Sequence, residues 1–247
     1  MNNAVPIPKH HLIGHRGAAG LRPENTLCSF SYAAELGLNW IEFDVHLTKD
    51  NHWIVIHDDT LDRTTNGHGP VTEHTADELI ELDAGLWFNP PYPEQTLPTL
   101  MDTLHLAAEL NLFCNVEIKG ADSNPQLNAQ QFATFVRKNN DVVDNQILVS
   151  SFNLEVLVEL RKLLPDLPLA YIKDEFTEDM ITLAQQHNFA SINCLAKRFT
   201  TTYMQAAQRA NIPVFLYTVN DMTTANYWID KGVTGLFTDR PDLLLPA

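Results

Sequence analysis

The chain has 247 residues, of which 45% are apolar and 19% charged, and these fractions exclude a largely disordered protein. Its 31 acidic and 16 basic residues give a formal net charge of −15, which disfavours nucleic acids and anionic membranes as partners. A small anionic substrate stays compatible with this charge if its site carries cations. Because the chain has neither an apolar run of about 18 residues nor a signal peptide, we expect a cytoplasmic protein without stable membrane insertion.

Short apolar runs alternate with segments of helical period along most of the chain. The first run, His11–His15, ends in Gly-His-Arg-Gly, and a helix predicted over 23–37 separates it from a strand over 40–47. A further short strand is predicted over 52–57. The later strands begin near residues 112, 147, 168, 190, 212 and 235, and the helices between them cover 100–110, 126–139, 154–164, 177–187, 201–210 and 222–231.

Residues from about 58 to 98 break this alternation. The segment is rich in Thr, Gly, Asn and Pro, and it contains one short predicted helix over 75–82. Long connections without regular structure are uncommon in compact domains and are usually functional. We therefore predict a single domain over residues 1–247 with an insertion at about 58–98 that lies over one end of the fold.

Eight principal strands that alternate with helices in a chain of this length favour a (β/α)₈ TIM barrel, an α/β fold. The alternative is an open, doubly wound sheet. Such a sheet normally shows a glycine-rich turn that leads from the first strand directly into a helix. Here Pro23 interrupts that stretch, so the barrel is the favoured fold.

Ionisable residues recur near the carboxyl ends of the predicted strands, where a barrel interior should be apolar. Because residues two apart on a strand share a face, Glu42 points the same way as Asp44, and Glu117 the same way as Lys119. Carboxylates that converge from adjacent strands raise one another's pKa unless a cation binds them. All-oxygen ligands favour Mg²⁺, Ca²⁺ or Mn²⁺ over zinc. The residues at these strand ends are His15, Arg16, Glu42, Asp44, His57, Glu117, Lys119 and Asp239.

Each of these residues also has an ordinary structural interpretation. An isolated Glu-x-Asp is more often a solvated strand face, and a single histidine is more often a hydrogen-bonded structural residue. Their recurrence at the same end of consecutive strands makes coincidence improbable. His46 continues the face of Glu42 and Asp44, and we expect a rim position or a contact behind the ligands rather than a ligand.

With these motifs, the sequence resembles the glycerophosphodiester phosphodiesterase family, especially its compact cytoplasmic bacterial members. A single His-Arg-Gly would be weak evidence, but the ordered set is highly specific and runs through most of the chain. The matching motifs are GHRG (14–17), PENT (23–26), IEFDVHLTKD (41–50), IHDDTLDRTTNG (56–67), LPTL (97–100), VEIKG (116–120), SSF (150–152), YTVN (217–220) and TDRP (238–241).

The resemblance implies hydrolysis of glycerophosphodiesters, such as glycerophosphocholine and glycerophosphoethanolamine, to sn-glycerol 3-phosphate and an alcohol. It implies one divalent cation, Mg²⁺ or Ca²⁺ with Mn²⁺ possible, and an insertion that shapes the alcohol side of the pocket. The sequence departs from the family pattern at Asn51-His52, which replaces a glycine turn, and at Tyr217, where tryptophan is common. The implied roles are metal binding for Glu42, Asp44 and Glu117, acid/base catalysis for His15 and His57, and phosphate binding for Arg16 and Lys119.

Three alternatives stay open from the sequence. A lysophospholipase D-like or sphingomyelinase D-like enzyme on the same barrel needs an apolar entry surface; residues 86–88 could supply one, although their burial against the barrel is the favoured interpretation. A non-catalytic barrel that binds a phosphodiester would not need an acid/base pair. An aldolase-type or enolase-type barrel would need a Schiff-base lysine or a base beside a carbonyl, and Lys119 alone could mimic the former. The sequence predicts a small-molecule partner and no particular oligomeric state.

Overall fold

A computed structural model describes residues 6–143 and 146–245. Strands and helices alternate through this part of the chain, as the sequence predicts. The strands are β1 (Leu12–Gly14), β2 (Trp40–Leu47), β3 (Trp53–Val55), β4 (Phe113–Ile118), β5 (Ile147–Ser151), β6 (Leu169–Lys173), β7 (Ser191–Leu195), β8 (Val214–Tyr217) and β9 (Gly235–Thr238). The helices are α1 (Leu27–Glu35), α2 (Ala76–Leu79), α3 (Leu100–Glu109), α4 (Pro125–Lys138), α5 (Asn140–Val143), α6 (Leu154–Leu163), α7 (Glu178–Gln186), α8 (Thr201–Arg209), α9 (Met222–Asp230) and α10 (Pro241–Leu244).

The sheet is a closed parallel barrel. Strand β1 pairs in parallel with both β2 and β9, which joins the two ends of the strand order β1-β9-β8-β7-β6-β5-β4-β2. The short strand β3 lies outside this ring and pairs antiparallel with β2. Closure confirms the (β/α)₈ TIM barrel and excludes the open doubly wound sheet, whose first and last strands would remain edges.

Alternation along the strands separates two apolar layers. Phe43, Val45, Val116 and Ile118 face outward and are buried beneath the helices. A second cluster packs inside the ring, below the polar residues of β2 and β4, and each large side chain in it contributes roughly 1.5–3 kcal/mol by burial. Because this cluster closes the barrel from below, a ligand reaches the interior only from the carboxyl ends of the strands. The inner cluster consists of Ile13, Trp40, Leu148, Ala170, Ala190, Phe215 and Phe237.

Local capping determines where the helices begin. The helix predicted over 23–37 begins only at Leu27, because residues 23–26 form a turn and the Thr26 hydroxyl accepts a hydrogen bond from the Ser29 amide. The predicted start of the short helix near 75 is observed as a capping box between Thr75 and Glu78. Within residues 6–143 and 146–245, no helix combines the length and apolar character needed to cross a bilayer.

The segment between β3 and α3 carries a small core of its own. Leu61, Val71, Leu79, Ala84 and Leu97 pack with the buried residues of the β3 region. The expected burial of residues 86–88 is wrong, since Leu86 is 57% and Trp87 36% exposed and Phe88 is only half-buried. The cause is a tight turn in which the Asp83 carboxylate accepts hydrogen bonds from the amides of Gly85 and Leu86.

Candidate active site

A cavity of about 190 Å³ opens at the carboxyl ends of the barrel strands. All seven residues that the sequence singles out for metal, acid/base or phosphate roles line it. We call one side the charged wall, formed around β1, β2, β3 and β4, and the other the apolar wall, formed on β6, β8 and β9 and by the residue that follows β5. The charged wall consists of His15, Arg16, Glu42, Asp44, His57, Glu117 and Lys119, and the apolar wall of Phe152, Ile172, Tyr217 and Phe237.

Parallel pairing brings the three carboxylates together. Strands β2 and β4 are neighbours in a register that sets Asp44 beside Glu117, and Glu42 lies two residues earlier on the same face. All three residues are buried, and one oxygen from each lies within 4.8 Å of the other two. Burial first, and then repulsion by Asp44 and Glu117, raises the pKa of Glu42 well above its ordinary value. Burial and the charge of Asp44 also raise the pKa of Glu117 to about 7.

Asp44 differs from the two glutamates because nearby cations lower its pKa. Burial alone would raise the pKa of Asp44, but the positive charge of Arg16, together with that of Lys119, outweighs it and lowers that pKa. The Asn25 side-chain amide also donates a hydrogen bond of 2.9 Å to Asp44 Oδ2. The site therefore stabilises the ionised form of Asp44 and disfavours the ionised forms of Glu42 and Glu117.

The carboxylate cluster fits a hard divalent cation. Oxygen ligands lie about 2.0–2.6 Å from Mg²⁺ or Ca²⁺, so that pairs of ligands lie up to about 5 Å apart, and the spacing within 4.8 Å agrees with this. A bound cation would also remove the repulsion that raises the pKa of Glu42 and Glu117. In the ranges 6–143 and 146–245, this is the one cluster of histidine, cysteine or acidic side chains with metal-binding spacing.

His15 is oriented by a carboxylate from the last strand of the barrel. Its Nδ1 lies 2.6 Å from Asp239 Oδ1, and Asp239 Oδ2 accepts a hydrogen bond of 2.8 Å from the Asn220 side chain. An ionised carboxylate can only accept, so Nδ1 carries the proton. The other ring nitrogen, Nε2, lies 3.9 Å from Glu42 Oε2 and faces the carboxylate cluster.

His57 repeats this arrangement with a different aspartate, Asp58. Its Nδ1 lies 2.6 Å from Asp58 Oδ1, and its Nε2 lies 3.3 Å from Lys119 Nζ. The ammonium of Lys119 can only donate, so Nε2 accepts and the ring is neutral. Burial, more than any other cause, lowers the pKa of His57 and agrees with the neutral form.

His46 lies behind His57 and not at the rim of the cavity. It is buried, and its Nε2 lies 3.1 Å from the His57 carbonyl oxygen. A carbonyl only accepts, so His46 is protonated on Nε2 and supports the backbone of His57. Of the two positions that the sequence leaves open for His46, the structure selects the contact behind the site.

Arg16 occupies a strained backbone position that directs its groups at the carboxylates. Its φ of 48° is left-handed, a conformation that costs a non-glycine residue roughly 1–3 kcal/mol. The Arg16 amide donates to Glu42 Oε2 at 2.9 Å, and its guanidinium Nε lies 3.4 Å from Asp44 Oδ2. Gly17 permits this turn, because a Cβ there would lie 2.4 Å from the Ser29 hydroxyl oxygen.

Lys119 is the second cation of the charged wall. Its Nζ lies 3.0 Å from Glu117 Oε1, and the same Nζ lies 5.6 Å from the centre of the Phe152 ring on the apolar wall. Phe152 in turn packs edge-on against Tyr217, with ring centres 6.3 Å apart. The Tyr217 hydroxyl donates to Asp174 Oδ1 at 3.1 Å. The apolar wall therefore offers ring surface rather than charge to a ligand.

Four residues that contact the predicted site have no role assigned from the sequence. They are Glu24, Asp58, Arg63 and Asp239, of which only Asp239 stood out as a strand-end polar residue. Glu24 lies in the motif at 23–26, and Asp58 and Arg63 lie in the motif at 56–67. Membership in these motifs is the feature of the sequence that could have indicated a role in the site. Their pairings join positions as much as 224 residues apart, and no spacing in the sequence indicates which carboxylate meets which cation.

Comparisons with known proteins identify the family of this chain. A model of the glycerophosphoryl diester phosphodiesterase family matches residues 15–243. The chain is 32% identical over 235 residues to a glycerophosphodiester phosphodiesterase of Caldanaerobacter subterraneus subsp. tengcongensis, covering 95% of this chain and 96% of the relative. It is 32% identical over 258 residues to a glycerophosphodiester phosphodiesterase of Bacillus subtilis (strain 168), covering 94% and 84%.

A solved structure shows the same architecture. An Oleispira antarctica phosphodiesterase in complex with its product sn-glycerol-3-phosphate is 29% identical to this chain and superposes with a TM-score of 0.88. The superposition covers 94% of this chain and 93% of that one.

Proposed function

Because the chain belongs to the glycerophosphoryl diester phosphodiesterase family, we propose that it hydrolyses glycerophosphodiesters to sn-glycerol 3-phosphate and an alcohol. Glycerophosphocholine and glycerophosphoethanolamine are the substrates that we infer. The observation that carries the proposal is one cavity in which two carboxylate-oriented imidazoles and two cations surround three buried carboxylates. The product bound to the Oleispira antarctica relative supports the same reaction.

The negative charge of the substrate has to be neutralised before an oxygen can attack its phosphorus atom. A phosphodiester monoanion repels an attacking oxygen, and preorganised cations lower this barrier by stabilising the charge that develops on phosphorus-bound oxygens. Arg16 and Lys119 bind the non-bridging oxygens. Glu42, Asp44 and Glu117 hold a divalent cation, Mg²⁺, Ca²⁺ or Mn²⁺, which when bound stabilises negative charge on the phosphate as a Lewis acid.

Charge balance favours this assignment. Three ionised carboxylates and two protonated side chains leave the charged wall with one net negative charge. A divalent cation reverses that sign and leaves one net positive charge, which matches a phosphodiester monoanion.

His15 and His57 divide the proton transfers. Each ring donates its Nδ1 proton to an aspartate, which leaves Nε2 directed to the cavity. One ring enters neutral, and its Nε2 takes a proton from the attacking oxygen. The other ring enters as an imidazolium, with a proton on Nε2 as well as Nδ1, and gives the Nε2 proton to the leaving alkoxide; each transfer contributes about 10²–10⁴-fold. Histidine suits both roles because its pKa lies near neutrality.

The test is metal removal and replacement. The protein is stripped with a chelator and assayed on glycerophosphocholine and glycerophosphoethanolamine, with Mg²⁺, Ca²⁺ and Mn²⁺ added back separately. We expect activity to vanish on stripping and to return with at least one cation, with sn-glycerol 3-phosphate as product. Full turnover by the stripped protein, or formation of a different phosphate product, would overturn the proposal.

The exposed side chains of Leu86 and Trp87 support a second candidate, hydrolysis of lysophospholipids. An acyl chain needs an apolar surface outside the small cavity, and these residues offer one on the insertion. Assays on glycerophosphocholine and lysophosphatidylcholine separate the two functions. We expect the former to be the better substrate, and Leu86→Ser with Trp87→Ser to leave its turnover unchanged.

A further inference from the structure

Arg63 joins two carboxylates that belong to different loops at the mouth of the cavity. Its Nη1 and Nη2 donate to Glu24 Oε2 and Oε1 at 2.9 and 2.8 Å. Its Nε and Nη2 donate to Asp58 Oδ2 and Oδ1 at 2.6 and 2.9 Å. Glu24 lies between β1 and α1, and Arg63 lies in the segment that follows β3. The side chain therefore ties that segment to the loop that carries Arg16.

Each of these carboxylates also holds a residue of the charged wall. Arg16 Nη1 donates to Glu24 Oε1 at 2.7 Å, and His57 Nδ1 donates to Asp58 Oδ1 at 2.6 Å. These are the same two oxygens that Arg63 Nη2 contacts. Arg63 Nη2 thus lies between Glu24, which orients Arg16, and Asp58, which orients His57.

We propose that Arg63 is a positioning residue that sets Arg16 and His57 relative to each other through Glu24 and Asp58. The inference rests on the proposed function, since it takes Arg16 and His57 to act on the substrate. Arg63 itself does not line the cavity. Its effect is transmitted by the two carboxylates, whose charges would repel each other across the mouth if the guanidinium were removed.

The chemistry of the guanidinium explains why an arginine occupies this position. A planar fork with five donors can bind two carboxylates at once, each through two hydrogen bonds, whereas an ammonium is a compact point charge. The Glu24 side chain is only 12% exposed and that of Arg63 43%, so the pair is partly shielded from water. Lysine at this position would keep the charge and lose the geometry.

The first experiment compares Arg63→Ala and Arg63→Lys with the wild-type protein on glycerophosphocholine. A misplacement of reacting groups by about 1 Å can cost about 10²-fold, and we expect kcat to fall about 10- to 100-fold in Arg63→Ala. Arg63→Lys should recover only a minor part of this loss. Wild-type kcat in Arg63→Ala, or full recovery in Arg63→Lys, would overturn the proposal.

Arg161 provides a matched control. It also donates four hydrogen bonds, all to backbone carbonyls, and lies outside the cavity lining. We expect Arg161→Ala to lower the melting temperature without changing kcat of the folded enzyme. An equal loss of kcat in Arg161→Ala would assign the Arg63 effect to general destabilisation and would count against the proposal.

The second experiment separates positioning from a merely structural role. Residues that act through one another give non-additive effects on rate. In a His57→Ala background, whose residual activity is low, Arg63→Ala should reduce kcat less than about threefold. The same fold-loss in both backgrounds would overturn the inference. If Arg63→Ala fails to fold, Arg63→Gln, which keeps a polar side chain and removes the charge, is carried through the same cycle and judged by the same criterion.

The kcat values of His57→Ala and Arg63→Ala also separate a failure of this inference from a failure of the proposed function. Near wild-type kcat in His57→Ala alone would remove that histidine from the mechanism. The effect on Arg16 would then be tested through KM. Arg63→Ala should raise KM by misplacing Arg16, and this increase should disappear in an Arg16→Ala background. A severe loss in His57→Ala with no loss in Arg63→Ala would reject the positioning role alone.

Discussion

The two walls of the cavity are built from the same barrel and differ in charge and polarity. The charged wall concentrates three buried carboxylates, two cations and two imidazoles on β1, β2, β4 and the loop after β3. The apolar wall opposite offers ring and aliphatic surface from Phe152, Ile172, Tyr217 and Phe237. The charged wall is also the side to which the segment between β3 and α3 is tied through Arg63. The comparison teaches that charged and apolar groups are segregated within one cavity.

The two walls also contribute to stability with opposite signs. Burial of apolar side chains stabilises the fold, by roughly 25 cal/mol for each Å² removed from water. Burial of Glu42 and Glu117 raises the pKa of both and disfavours their ionised forms. The charged wall therefore lowers the free energy of unfolding, and binding of a cation should raise it again.

The largest effect should come from the imidazoles of the charged wall. We expect His15→Ala and His57→Ala each to lower kcat by about 10²–10⁴-fold, because each removes one proton-transfer group. Circular dichroism should show an unchanged fold. His105→Ala, on the exposed face of α3, is the control and should retain wild-type kcat. Near wild-type turnover by either site variant would remove that histidine from the mechanism.

A second prediction concerns stability and pH in the metal-free protein. The pKa of Glu117 is raised from 4.5 to about 7 on folding, so between these values the folded state binds more protons than the unfolded state. Stability must then fall as pH rises from about 4.5 to 7. We expect this contribution to be absent in Glu117→Gln and largely removed by a bound divalent cation.

Thermal melts at pH 5 and pH 8 measure this contribution. His46 and His57 have lowered pKa values and act in the opposite direction near pH 6.5, so the informative quantity is the difference between wild type and Glu117→Gln. That difference should amount to several degrees in melting temperature. Identical pH dependence of the two proteins would show that Glu117 is not under electrostatic stress.

A smaller effect is expected from the apolar wall. Phe152→Ala removes a ring that packs against Tyr217 and lies 5.6 Å from Lys119 Nζ. A loss of about 1 kcal/mol of contact energy corresponds to roughly a fivefold increase in KM. We expect kcat to change less than KM, and steady-state kinetics on glycerophosphocholine can check this. A fall in kcat that is larger than the rise in KM would contradict the distinction between the two walls.

The smallest effect should follow from Tyr217→Phe. The substitution keeps the ring on the apolar wall and removes only the hydrogen bond to Asp174, which is exposed. A single hydrogen bond to a charged, solvated partner contributes about 1 kcal/mol or less. We expect kcat/KM to change less than about threefold. A change above tenfold would indicate that the hydroxyl itself contacts the substrate.

Periodicity in the sequence predicted the barrel because each strand and helix carries its own pattern of apolar residues. The exceptions were local. The first helix begins at Leu27 instead of residue 23, since the backbone prefers the capped turn that ends at Thr26. Leu86 and Trp87 are exposed because a carboxylate two residues before Gly85 closes a turn that points them outward. Hydrophobicity alone did not indicate either outcome.

The sequence by itself determined the strand faces, and with them which polar residues point into the barrel, because alternation along a strand is a local property of the backbone. Only the tertiary structure decided the partners. His15 meets Asp239 across 224 positions, and Arg63 meets Glu24 across 39. Such pairs depend on barrel closure and on how one loop docks against another, and local spacing carries no information about either.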